Sequence, residues 1–482
     1  MSVEYDLVVI GASPEGIFAA IAAAALNARV ALVEQPFPGD WGTLETFYHR
    51  IFSHVVGLTE QLETAVQIGI YEPTPKLEIQ LTQITSWTQE VHTILSEQNS
   101  SAILASKGID VIKGSGEFCR LPQQAFIAGK RKLRSRKYLL ATGSHWVVPY
   151  LEGIESVGYL TPNHLYQKER LEFLPANLVI VGASPLALQL AQNLRQTGRN
   201  ITFIGENKQF LPLEDPEAAR LIQAQLEASG IEILLESPIV QVQRIEEKKW
   251  LQAGNRALET DEIILAGKQQ PNLEGLNLES VGVCINNKRI QLNEKLQTTN
   301  PRIYACGSVG GGYSLSHIDR YEATIAVKNA LFLPILKVDY RSIPYVIDSH
   351  PPLARVGMTE AQARRDYGDD VEVVKQNFKA IAQAQLLGAT TGFCKLVIRR
   401  NGEILGAHIV GTKAEELIGA IALAMKQKIK LGAIAHFLFP AFTFSEILQQ
   451  TASDWQQQRF KNKQNWQKFL ENWFIWLRNL TN

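Results

Sequence analysis

The chain has 482 residues, of which 45% are apolar and 20% charged, with Lys+Arg and Asp+Glu both at 48. This is an ordinary globular composition, too long for one core, and about three to four domains are expected. Overall neutrality excludes whole-chain recruitment to nucleic acid, and scattered Cys119, Cys284, Cys306 and Cys394 exclude a disulfide framework or a zinc site.

The four cysteines suit a reducing compartment, and nine histidines without ligand spacing give no reason to expect a metal. The apolar run Ile17 to Leu26 sits behind a glycine turn and is too short to span a bilayer. A cytoplasmic chain is expected.

Tyr5 to Ile10 reads as a strand buried on both faces, because its aliphatics are continuous rather than alternating. Gly11-Ala12-Ser13-Pro14-Glu15-Gly16 follows as a turn, then an alanine-rich helix, then Val30 to Glu34 as a second strand. This is a β-α-β phosphate-binding unit. Gly11 permits the tight turn, Gly16 permits close packing, the helix start offers N–H groups to a pyrophosphate, and Glu34 is placed to accept from ribose hydroxyls. Ser13 stands where the second glycine is usual.

Helical spacing then covers Trp41 to Gly69 and Leu77 to Lys107, before a strand at Ile109 to Lys113. The basic run from Lys130 to Lys137 fits a solvated hairpin edge better than a nucleic-acid patch, given the neutral total. Tyr138 to Gly143 reads as a buried strand ending in the small-residue turn Ala141-Thr142-Gly143.

At Asn177 the opening unit repeats. Strand Leu178 to Val181, turn Gly182-Ala183-Ser184-Pro185-Leu186-Ala187, a helix to Thr197 and strand Asn200 to Ile204 imply a second nucleotide-binding fold. Here Ser184 and Ala187 hold the positions of the second and third glycines. Glu206 lies one step beyond the usual acid, and no arginine awaits a 2′-phosphate, so NADH is expected rather than NADPH.

Ile303 to Ser308 is a further strand and glycine turn, followed by a helix from Ser316 to Leu331. Beyond Ile343 strands alternate with helices, including a hairpin at Asn401-Gly402 and an amphipathic helix from Ala414 to Gln427. In the tail, Trp466, Phe469, Leu470, Trp473, Phe474, Trp476, Leu477 and Leu480 share one helical face. That face either docks on the protein's own surface or meets a membrane. Docking is preferred because the helix itself lacks a strong cationic face.

The order of these motifs resembles that of the class I FAD-dependent pyridine nucleotide-disulfide oxidoreductases, which include dihydrolipoamide dehydrogenase, mercuric reductase and soluble transhydrogenase. The likeness runs from residue 3 to about 450 and is most specific at Ala141-Thr142-Gly143, at Ile303 to Ser308 with Leu315-Ser316-His317, at Val356 to Ala363, at Ile404 to Gly411 and at Thr443 to Glu446. It implies an α/β fold with two Rossmann-like dinucleotide-binding domains, for FAD and NAD, and a C-terminal α+β dimerisation domain. The implied boundaries are 1–150 and 273–342 for the FAD domain, 151–272 for the NAD(P) domain, 343–450 for dimerisation and 451–482 for the aromatic tail. FAD contacts are implied at Gly11, Ser13, Pro14, Gly16, Glu34, Gly116, Ala141, Thr142, Gly143, Gly307 and Ser308, and NAD contacts at Gly182, Ser184 and Glu206. A homodimer follows from the same likeness.

The family's reactive groups do not carry over. Its two cysteines fall at Pro38 and Thr43, its lysine at Phe47, the partner glutamate at Gln189, its histidine at Ala441 and its flavin-side aspartate at Ser308, while the orienting acid remains as Glu446. Neither Pro38 nor Thr43 can form a thiolate. Losing both members of the Lys–Glu pair is coherent, since removing one alone strands a buried charge at about 3–5 kcal/mol. Two readings follow. One is a flavoprotein passing hydride from NAD(P)H through FAD straight to a small acceptor, quinone-like or nicotinamide, with Trp41, Thr43, Phe47 and Gln189 beside the flavin. The other is a catalytically degenerate flavoprotein dimer acting as scaffold or sensor.

Overall fold

A computed structural model describes residues 3–35, 42–67, 69, 79–120, 123–165, 171, 173–312, 315–461 and 464–480; the side chains of 42–46, 60, 63, 64, 67 and 464–466 are outside that description. The expected positions Pro38 and Trp41, and the side chain of Thr43, therefore lie outside the described residues. The chain divides into two compact units, Met1–Lys208 with Ser229–Asp339, and Gln209–Ala228 with Tyr340–Asn482.

The first unit holds two parallel sheets. In the first, strand order is Ile303–Ala305, Ser135–Leu140, Tyr5–Ile10, Val30–Glu34, Ile109–Lys113, all parallel. Leu7 to Ile10 and Leu139 to Ala141 are fully buried, because helices Pro14–Ala24 and Ser316–Leu331 cover one face and a second apolar cluster covers the other. Successive connections leave in opposite directions from the central strands, so their carboxyl ends open a crevice where such sheets bind ligands. Gly11, Glu34, Ala141 and Gly307 all stand at that edge.

The basic run forms the edge strand Arg131–Leu133 and the start of Ser135–Leu140. Three of its six charges are spent locally, Arg131 on Asp110 at 2.6 Å, Arg136 on Asp6 at 3.6 Å and Lys137 on the Pro301 carbonyl at 2.8 Å.

The second parallel sheet runs Glu232–Leu234, Asn200–Ile204, Asn177–Val181, Glu262–Leu265, beside an antiparallel meander of Ile239–Ile245, Lys248–Ala253 and Arg256–Thr260. Helix Pro185–Gln196 follows the repeated turn and packs against the long helix Gly42–Gln67, itself paired with Leu81–Glu97.

The second unit is a five-stranded antiparallel sheet in the order Tyr345–Ile347, Leu353–Gly357, Ile404–Val410, Phe393–Arg399, Val371–Asn377. Helices Ala414–Lys426 and Glu446–Lys461 bury its inner face through Ile418, Ile421, Ile447, Leu448 and Trp455. Helix Glu446–Lys461 thus runs unbroken across the expected boundary at 450. Segment Gln209–Ala228 belongs to this unit through buried charge. Glu214 accepts from Arg355 at 2.8 Å, and Asp215, fully buried, meets Lys395 at 2.9 Å, with Glu360 on the same ammonium at 3.0 Å. Deleting one partner of such a pair costs about 3–5 kcal/mol. Nearby His408 is buried, which lowers its pKa to about 4 and keeps the ring neutral against the Met358 carbonyl at 3.1 Å.

The tail forms helix Gln464–Leu480. On its apolar face Phe469, Trp473, Phe474, Trp476, Leu477 and Leu480 are between 39% and 62% exposed among the described residues. In its first turn Gln467 donates back to the Lys461 carbonyl at 3.1 Å. Among the described residues no helix is long and apolar enough to cross a membrane.

Candidate active site

Gly11 closes the first strand with φ +104, and a Cβ there would lie 2.1 Å from the Ala141 carbonyl oxygen. A side chain is excluded both by that approach and by the backbone conformation. At Gly16 the Cβ would sit 2.3 Å from the Gly11 carbonyl oxygen, so helix and turn are in contact. Ser13 caps the helix. Its Oγ accepts from the Gly16 N–H at 3.3 Å, and Pro14 occupies the first helical position, where its missing N–H costs nothing. The missing second glycine is thus a capping serine.

Opposite this turn, Thr142 Oγ1 donates to the Asn272 carbonyl at 2.7 Å, Asn272 Nδ2 donates back to the Thr142 carbonyl at 2.9 Å, and Asn272 Oδ1 meets His145 Nδ1 at 2.6 Å. Asn272, whose N–H also donates to the Gly143 carbonyl at 3.0 Å, therefore fixes the Ala141–Gly143 turn. Glu34 is held at the end of its strand by Ser101 Oγ at 3.2 Å and Lys113 at 3.7 Å, with a quarter of its side chain exposed. Gly116 N–H donates to Gln35 Oε1 at 3.3 Å. A cavity of about 810 Å³ opens here, bounded by Gln35, Gly116, Ile127, His145, Asn272 and Glu274. A glycine cradle that any Cβ would fill, an acid at the strand end and a nucleotide-sized cavity beside them fit a dinucleotide such as FAD.

Ser308 Oγ lies 4.0 Å from where a Gly143 Cβ would stand, so the two small-residue turns converge. Three carboxyls that went unnoticed in the sequence gather next to it. Glu15 Oε1 lies 2.5 Å from the place of a Gly307 Cβ, and Glu322 Oε2 accepts from the Gly307 N–H at 2.8 Å. Burial, reinforced by Glu15 and then Glu322, raises Asp319 to about 9, so the cluster holds a proton at neutral pH. Burial with the same acids pushes the Cys306 thiol well up. The available signal was Asp319 and Glu322 at i, i+3 on one face of a helix that packs on Glu15's own helix.

The second turn is built alike but filled differently. A Gly182 Cβ would lie 2.6 Å from the Ala266 carbonyl oxygen. Ser184 Oγ accepts from the Ala187 N–H at 3.1 Å and donates to the Ala266 carbonyl at 2.6 Å. Glu206 is exposed at the end of the next strand. Phe47 and Gln189 lie on the two packed helices Gly42–Gln67 and Pro185–Gln196, and the Phe47 ring sits edge-on to His92 at 5.9 Å. His49, two residues on from Phe47, is buried, which brings it down to about 3. Glu446 opens helix Glu446–Lys461 in the second unit, with Ala441 exposed in the loop before it. None of the four cysteines is in a disulfide; Cys306 and Cys394 are buried, and burial raises Cys394 to about 12.

A family model described as pyridine nucleotide-disulphide oxidoreductase matches residues 5–325. The chain belongs to this family. The model of the family's dimerisation domain matches residues 343–452. The mercuric reductase of Staphylococcus aureus is 29% identical over 465 residues, covering 93% of this chain and 82% of its own length. A dihydrolipoyl dehydrogenase of Bacillus subtilis (strain 168) is also 29% identical, over 453 residues, covering 92% and 96%. Among solved structures, the Cu(II) complex of the HOCl-induced flavoprotein disulfide reductase RclA from Escherichia coli superposes with a TM-score of 0.81 at 25% identity, covering 94% of this chain and 99% of that one. The protein is thus a member of an oxidoreductase family with FAD- and NAD(P)-binding Rossmann-type domains, and its dimerisation domain points to a homodimer.

Proposed function

We propose that this protein is an FAD-dependent NAD(P)H oxidoreductase that reduces a small acceptor directly, without a protein dithiol. The observation that carries this reading is the state of the thiols: none of the four cysteines is in a disulfide, and burial pushes the Cys306 and Cys394 thiols up, holding them protonated. Disulfide or Hg(II) reduction through a protein dithiol requires a thiolate pair, and the family resemblance puts Pro38 and Thr43 at the positions of that pair.

Bound FAD would supply the hydride relay between nicotinamide and acceptor. Gly11, Ser13, Pro14 and Gly16 would face its pyrophosphate, Glu34 a ribose, Gly116 the adenine side, and Ala141, Thr142, Gly143, Gly307 and Ser308 the inner end. Asp319 keeps a proton beside that inner end, so the three-acid cluster does not present its full negative charge there. Phe47 and Gln189 replace a charged pair with an uncharged wall, which favours a planar apolar acceptor such as a quinone; another nicotinamide would also fit. A quinone takes one hydride and one solvent proton to become the hydroquinone, so no cysteine is needed for balance. NADH is the expected donor, from exposed Glu206 without a neighbouring arginine. The setting is a cytoplasmic homodimer, in keeping with free thiols.

Ser184 favours a second reading. With both hydrogen bonds spent at the second turn, nicotinamide binding would be weak, and the protein would be a catalytically degenerate flavoprotein dimer, a scaffold or sensor. Anaerobic titration of the purified protein decides between them. Bleaching of the flavin band by NADH, at lower concentration than by NADPH, and reoxidation by a soluble quinone are expected. A flavin band that neither nucleotide bleaches would leave the scaffold reading, and a colourless protein that refuses FAD would end both.

A further inference from the structure

The chain carries equal numbers of cations and acids overall, yet residues 459–480 hold Arg459, Lys461, Lys463, Lys468 and Arg478 against the single acid Glu471. Helix Gln464–Leu480 adds an apolar arc of about 160° to that charge, counted at 100° per residue. Phe469 stacks on Trp473 at 6.5 Å and Trp473 lies 5.0 Å from Trp476, forming a continuous aromatic ridge that faces solvent. Lys468 and Arg478 stand on the opposite half, and the remaining three cations come just before the helix. The match to the dimerisation domain stops at residue 452, so this face lies outside the part of the chain that the family uses to dimerise.

We propose that Gln464–Leu480 lies in the plane of an anionic bilayer interface as a monotopic anchor. Tryptophan suits that depth, where a ring meets acyl chains and its N–H meets water. An amphipathic helix with adjoining cations binds such a surface through buried apolar area plus electrostatic attraction. Charge favours lipid over a second copy of the tail: two tails face to face would bring ten cations together against two acids, whereas anionic headgroups neutralise them. The arc is also wider than a coiled-coil seam, which occupies only two positions in seven. The anchor does not depend on which acceptor the flavin site takes, and its test needs no turnover.

The test uses the full-length protein in co-sedimentation with vesicles containing phosphatidylglycerol and with pure phosphatidylcholine vesicles, followed by tryptophan emission. Partition at least about fivefold stronger on the anionic vesicles, with a blue shift, is expected. Trp473→Asp with Leu477→Asp should abolish it, and Lys461→Glu with Lys468→Glu should weaken it about tenfold or more, all with unchanged circular dichroism because these side chains are exposed. Equal partition on both vesicles, no partition, or partition untouched by the aspartates would overturn the proposal. So would an assembly larger than a dimer in light scattering that the aspartate variant dissolves, which would assign the face to a second copy.

Discussion

The protein contains the same six-residue turn twice, and the two copies have diverged in what occupies the helix end. Both start with a glycine pressed on a carbonyl, of Ala141 in the first and Ala266 in the second. Both have a serine capping the helix and a proline after it. At the first turn Gly16 allows the helix to approach Gly11 closely; at the second, Ala187 keeps a methyl there. Ser13 makes one hydrogen bond to its helix, whereas Ser184 makes one to its helix and another to the neighbouring strand. One turn remains a cradle and the other is partly filled by its own side chain. A repeat inherited in duplicate can keep its fold while one copy loses room for a diphosphate, because capping and ligand binding draw on the same helix-terminal N–H groups.

Putting into the first turn what the second already carries gives the largest expected effect. Gly16→Ala drives a methyl into the Gly11 carbonyl and should cost about 2–3 kcal/mol, with the purified protein losing most of its flavin. A variant as yellow and as stable as wild type would remove the close approach from the account.

Where the first turn has Glu15 the second has Leu186, and the acids beside the first turn give that region its own pH dependence. Asp319 titrates near 9 when folded and near its ordinary 3.8 when unfolded, so the folded state keeps a proton that the unfolded state releases. Its contribution is complete below about pH 4, declines through the interval and is gone above about pH 9. Asp319→Asn should therefore flatten the loss of thermal stability from pH 6 to 9, gaining a few degrees at the alkaline end, at about 2–4 °C per kcal/mol for a large domain. Parallel melting curves for the two proteins would show that the carboxyl is not protonated.

Opening the second turn has the smallest effect. Ser184→Gly frees the Ala187 N–H and should tighten NADH binding about fivefold, roughly the worth of one hydrogen bond, while lowering stability by a few tenths of a kcal/mol. Unchanged affinity in a fluorescence titration would mean that the serine is not what restrains the site.

Much of this was legible in the chain. The Ser316–Leu331 helix, the Asn200–Ile204 strand and both glycine turns follow from continuous aliphatics, glycine punctuation and local spacing, all of which are short-range. The tail's aromatic face was equally plain, but its exposure was not: periodicity tells which side chains share a face, and not whether anything covers it. Asn272, His145 and the Glu15–Asp319–Glu322 cluster escaped for a different reason. Asn272 pairs with Thr142 across 130 positions, and the acids sit on two helices more than 300 residues apart in sequence. The i, i+3 spacing of Asp319 and Glu322 marks a shared helical face, but nothing local in the sequence says which distant element that face, or Asn272, will meet. Phe47 and Gln189 stood out only because the family places charges there.

The buried pairs Glu214–Arg355 and Asp215–Lys395 join positions 141 and 180 residues apart. On the ribosome, at about 5–20 residues per second, the two acids wait roughly 7–35 s for their cations to be made. Until then the Gln209–Ala228 stretch has no counter-charges with which to bury Glu214 and Asp215. It must stay hydrated while the strands Glu232–Leu234, Glu262–Leu265 and Ile303–Ala305 that follow it are being made, and its charges are matched only once Lys395 has been added.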